Sequence, residues 1–115
     1  VARLGELERA VMNVLWAASE PLPAKAIGDA VGADHAITTV LTVLSRLERK
    51  GVVVRDKTGR AHTYRAAASR EDHVAELMRE ALGTAADTDA ALARFVSHAS
   101  PEEAAALRRA LEGLG

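Results

Sequence analysis

Residues 36–51 read AITTVLTVLSRLERKG, and the side chains there that can do chemistry are short hydroxyls followed by guanidinium groups. Thr38, Thr39 and Thr42 fall within five residues, with Ser45, Arg46 and Arg49 after them. A β-branched side chain loses rotamer freedom in a helix, so a merely solvated helical position would be better filled by Glu, Lys or Gln. Stepping the segment at about 100° per residue puts Ile37, Val40, Leu41, Val43, Leu44 and Leu47 on one side. Thr38, Thr39, Thr42, Ser45, Arg46 and Arg49 fall on the other, so core packing did not select the hydroxyls. Short hydroxyls let a helix approach another surface closely and bond phosphate oxygens or base edges, and arginine reaches guanine or phosphate. Such a helix, placed second in a helix-turn-helix, suits the major groove of double-stranded DNA.

The charge is uneven in the same direction. The chain carries 15 Lys and Arg against 16 Asp and Glu, a net charge of −1. Residues 1–66 nevertheless hold ten basic and seven acidic side chains, and residues 67–115 hold five and nine. Within 46–65 there are seven basic residues and two acidic ones, which points to a local anionic partner.

The elements that must position these groups follow from periodicity and punctuation. Leu4, Leu7, Val11, Leu15 and Ala18 predict an amphipathic helix over 4–18. Pro21 and Pro23 leave a short extended link, and Pro23 is able to open a second helix, with Ile27, Ala30 and Val31 inward and Gly32 at its end. Asp34 is the expected N-cap of the hydroxyl-bearing helix, which starts near His35 and stops at Gly51. VVVRDKTGRAHTYRA then reads as a β-hairpin with a basic tip, a wing whose Lys57 and Arg60 would lie along a phosphate backbone. Beyond residue 66 three helices are predicted. Ser69 and Asp72 form a capping box for the first, Asp87 or Thr88 caps the second, and Ser100-Pro101-Glu102-Glu103 opens the third. The expected fold is mainly α with a small β-hairpin wing. A winged helix-turn-helix DNA-binding domain spans 1–68 and a helical dimerisation domain 69–115.

Other function classes find little support. The chain has no cysteine, which removes disulfides, thiolate catalysis and cysteine metal sites and fits the cytoplasm. The histidines (His35, His62, His73, His98) are scattered without a metal-ligand spacing, and no phosphate-loop, dinucleotide or nucleophile-elbow motif occurs. No enzyme activity, cofactor or metal is expected. No run approaches the roughly 18 apolar residues of a membrane span, and no secretory leader is seen.

LGELERAVMNVLW at 4–16, TTVLTVLSRLERKGVV at 38–53 and GRAHTYRA at 59–66 resemble the BlaI/MecI family of bacterial winged-helix repressors. The resemblance implies a transcriptional repressor acting as a homodimer on a palindromic operator of TACA/TGTA type. Carried over by position, it implies DNA contacts from Thr38, Thr39, Thr42 and Arg46, with phosphate contacts from Lys50, Arg60 and His62. Tyr64 is ambiguous, its ring placed to brace the wing while its hydroxyl reaches a phosphate. Leu77, Leu82, Leu92, Phe95, Val96, Leu107 and Leu111 are the expected dimerisation residues, with intrachain core as the alternative for each. The resemblance also implies release through a membrane sensor protease that detects β-lactam and cuts an Asn-Phe bond. The aligned pair here is Arg94-Phe95, which keeps the phenylalanine but lacks the asparagine. Two rivals remain beside this reading: a winged-helix regulator released by a small-molecule ligand without cleavage, and a winged helix used only for protein interaction.

Overall fold

The computed structural model describes residues 4–32, 35–59 and 61–114, with the Thr58 side chain left aside. The elements run α1 (Glu6–Ala17), β1 (Leu22–Pro23), α2 (Ala24–Val31), α3 (Ile37–Arg49), β2 (Val53–Thr58), β3 (Ala61–Ala66), α4 (Arg70–Gly83), α5 (Thr88–Ser97) and α6 (Pro101–Glu112). The strands form one antiparallel sheet in the order β1-β3-β2. Val53 pairs with Ala66 and Thr58 with Ala61, leaving a two-residue link at the hairpin tip. The molecule is mainly helical with a β wing, and its first part is a winged helix-turn-helix.

The chain divides into two compact units, Val1–Glu76 and Leu77–Gly115, with the division inside α4. Trp16 explains why the start of α4 belongs to the first unit. Its indole N–H donates to the Ala68 carbonyl at 3.1 Å, its ring lies 5.4 Å from that of His73, and the Arg70 guanidinium sits over it at 5.3 Å. A tryptophan with a satisfied N–H and a cation on its face is a strong anchor.

The core of the first unit is built from Val11, Met12, Leu15, Ile27, Val40, Val43, Leu44, Leu47, Val53 and Tyr64. Gly28 lets α2 approach α3: a Cβ there would meet Val40 Cγ2 at 3.3 Å. The glycine that weakens α2 in isolation thus permits the packing that holds it. In α2, Ile27 is buried whereas Ala30 is exposed, contrary to expectation.

Several expected features differ in detail. Pro23 is the N-cap of α2, not its first residue, and pairs with Thr63. Proline has no N–H to lose at an edge, so the predicted extended link serves as a third strand. The third helix begins at Ile37 with Ala36 as its N-cap and no side-chain cap bond. The expected cap Asp34 lies outside the described residues. At the other end Gly51 takes φ 82°, the Gly51 N–H donates to Glu48 O at 3.0 Å, and the Val52 N–H donates to Leu47 O at 3.1 Å. That is a Schellman ending. It fixes where α3 stops and where the wing starts.

The second unit comprises the rest of α4 with α5 and α6. The expected caps form: Ser100 Oγ accepts from the Glu103 N–H at 3.1 Å while Glu103 Oε1 accepts from the Ser100 N–H at 2.8 Å, and Asp87 Oδ1 accepts from Ala90 N–H at 3.1 Å. The Ser69–Asp72 box at the start of α4 is likewise reciprocal, at 3.0 and 3.3 Å. Well-capped as they are, α4, α5 and α6 contain no buried residue.

Candidate nucleic-acid interface

The core takes only one stripe of α3, Val40, Val43, Leu44 and Leu47. Thr38, Thr39, Thr42, Ser45, Arg46 and Arg49 are all exposed, as the helical projection requires. Thr42 Oγ1 donates to the Thr38 carbonyl at 2.9 Å. Its proton is therefore used within the helix, and its oxygen keeps the capacity to accept. Ile37 and Leu41, expected on the inner side, are 47% and 41% exposed. The apolar arc of α3 is wider than the arc its neighbours cover.

One flank of α3 faces the start of α1 across a cleft of about 380 Å³ lined by Gly5, Glu6, Leu7, Glu8, Thr39, Thr42, Val43 and Arg46. Its back wall is Glu8, only 9% exposed. Glu8 Oε1 accepts from the Gly5 N–H at 2.8 Å, half of a capping box for α1, since Gly5 has no side chain to complete it. The same oxygen meets Lys50 Nζ at 2.8 Å, across 42 residues of sequence. The Lys50 hydrogen bond, then that from Gly5, holds the carboxyl below its ordinary value of 4.5; burial opposes them, and the charges of Lys50 and Arg46 assist. Lys50, expected at a phosphate, is thus engaged by α1 and anchors the C-terminal end of α3.

Other basic side chains of this segment are also engaged by acids. Arg55 Nε lies 3.5 Å from Glu48 Oε2, which ties the wing to α3, and Arg65 Nε donates to Asp56 Oδ2 at 3.2 Å, which ties β3 to β2. Arg46, Arg49 and Lys57 have no ion-pair partner among the described residues and are exposed. Arg49, absent from the expected contacts, therefore joins the cationic face. Its signal was the outward projection of α3, available from sequence. His62 is exposed and pairs in register with Lys57 near the wing tip. Arg60 lies outside the described residues.

Tyr64 is 6% exposed and its ring belongs to the core, on the face of β3 that packs inward, so the ring braces the wing. Among the described residues, no group of His, Cys, Asp or Glu is placed to hold a metal ion, and no helix is long and apolar enough to cross a membrane.

The family model of the penicillinase repressor matches residues 4–113. The transcriptional regulator BlaI of Mycobacterium tuberculosis, in both strain CDC 1551 / Oshkosh and strain H37Rv, is 45% identical over 119 residues, covering 99% of this chain and 86% of that protein. Among solved structures, a MarR family protein from Bacillus stearothermophilus matches with a TM-score of 0.55 at 18% identity, over 98% of this chain and 74% of that one. MepR, a transcription regulator of the Staphylococcus aureus multidrug efflux pump MepA, matches with a TM-score of 0.54 at 19% identity, over 96% and 77%. At these identities the structural likeness speaks for the fold alone.

Proposed function

The chain belongs to the penicillinase repressor family and is a DNA-binding transcriptional repressor of that family, and from this premise we propose that it acts as a homodimer on a two-fold symmetric operator, with α3 of each subunit in a major groove. The observation that carries the proposal is the exposed face of α3, where hydroxyls are followed by arginines that have no ion-pair partner among the described residues. Thr38, Thr39, Thr42 and Arg46 read bases. Arg49, Lys57, Arg60 and His62 hold the phosphate backbone, which fixes register without reading sequence. Lys50 serves by positioning α3 through Glu8.

Dimerisation is supported by what the second unit leaves uncovered. Leu92, Phe95, Val96, Leu107 and Leu111 are exposed, and Leu77 and Leu82 are only half-buried. This exposure favours an interface over an intrachain core, and a second copy is the proposed cover. Two subunits give two half-sites, hence a palindromic operator. Release is proposed to act through this unit. The Arg94-Phe95 bond lies within α5, so a sensor protease would have to unwind that helix before cutting.

The test is binding of the full chain to DNA upstream of its own gene, against a scrambled duplex, across a salt series. Preferential binding, a steep salt slope and a footprint with two-fold symmetry are expected. Equal affinity for both duplexes at every salt concentration would overturn the proposal.

A further inference from the structure

Two apolar side chains stand on the exposed part of α3 where the amphipathic pattern has no use for them. Ile37 and Leu41 are exposed, and neither is among the apolar side chains packed against the core. Four residues apart, they meet on one helical face and form a continuous ridge. Thr38, Thr42 and Ser45 run beside that ridge, all exposed and all shorter than leucine. The ridge therefore stands proud of the hydroxyl strip. A single exposed leucine needs no explanation. A ridge edging the strip through which the helix meets DNA does, since that area is dehydrated in the complex. The floor of the major groove offers hydrogen-bond donors and acceptors and one apolar group, the thymine C5-methyl. The cations alongside, Arg46 and Arg49 on the same helix, favour a polyanion as partner over an apolar protein surface.

We propose that Leu41, flanked by Ile37, packs against thymine methyl groups and is a specificity-determining residue of the recognition helix. The inference rests on the placement of α3 in the major groove proposed above. It gives this helix an apolar reading element beside its hydroxyls and Arg46, one that favours thymine over cytosine by shape and dehydration as well as by hydrogen bonding.

Duplexes selected from a random pool by the full chain supply the probe. Each thymine in the selected site is then replaced in turn by deoxyuridine, which removes only the methyl group. Affinity is measured for the unmodified chain, Leu41→Ala and Leu41→Met. At one or two positions per half-site the unmodified chain is expected to lose about three- to fivefold, the worth of one buried methyl. Leu41→Ala should bind the thymine duplex about as weakly and be indifferent to deoxyuridine at those positions, while Leu41→Met keeps part of the sensitivity. Methyl sensitivity undiminished in Leu41→Ala would assign the contact to another side chain, such as a threonine methyl, and overturn the inference. So would the absence of any deoxyuridine effect in the unmodified chain, whatever the variants do. Failure to enrich any duplex would instead overturn the proposed function, and this inference with it.

Discussion

Glu8 is a carboxylate removed from water at the junction of two helices, and its surroundings make it a pH-dependent support. Its partners are the Lys50 ammonium and the Gly5 N–H, while Oε2 is buried with no hydrogen-bond partner among the described residues. Because its folded pKa is depressed, the stabilisation is present above the unfolded value and is lost as pH falls through the folded one. Glu8→Gln is expected to cost about 1–2 kcal/mol near neutral pH, at the low end for a charged hydrogen bond because Lys50 remains partly in water. The difference in Tm between the two proteins should shrink on acidification below about pH 4.5; a difference independent of pH would show that charge plays no part. Arg46, across the cleft from Glu8, belongs to the same scale. Arg46→Ala should cost about 1–3 kcal/mol on the selected operator and less on random DNA. Equal losses on the two would mean that Arg46 reads no base.

At the scale of elements, α3 and the wing act as one unit because the Schellman ending joins them. Gly51 is the hinge of that joint, and φ 82° is a conformation L side chains rarely adopt. Gly51→Ala is expected to destabilise by about 1 kcal/mol or more. In a domain of this size that lowers Tm by about 4–8 °C per kcal/mol, measurable by thermal denaturation; an unchanged Tm would contradict a strained position. The wing carries its own prediction. Arg55 and Arg65 are engaged with Glu48 and Asp56 and hold the hairpin in shape, whereas Lys57 is exposed and has no ion-pair partner among the described residues. Lys57→Ala should weaken operator and random DNA alike and reduce the salt slope by about one, and a slope left intact would remove Lys57 from the phosphate contacts.

For the whole molecule, the contrast between its two units is the main feature. The first carries a core and most of the basic surface; the second carries an acidic balance and the rest of α4 with the capped helices α5 and α6, where Phe95 is 56% and Leu111 61% exposed. Capping and propensity specify where such helices start and stop, but short helices are held mainly by the burial of an apolar face. Phe95→Glu with Leu111→Glu is expected to yield a monomer by sedimentation or light scattering and to weaken operator binding more than about tenfold, because two half-sites no longer act together. The emission of Trp16, the only tryptophan, reports on the first unit and should not change. A double variant that stays dimeric would place the interface elsewhere.

The sequence by itself determined the helices after residue 66, their caps, the hairpin, the end of α3 at Gly51 and the outward hydroxyls, because each depends on neighbours within a few positions along the chain. Motif spacing also carried the family. The tertiary structure alone decided which basic residues are engaged by internal acids, since the carboxylate that meets Lys50 lies 42 residues away along the chain. It likewise decided that Tyr64 faces inward, that Pro23 completes a sheet, and that Ile37 and Leu41 stay uncovered. Periodicity tells which side of a helix is apolar, but how much of that side is buried depends on the width of what packs against it.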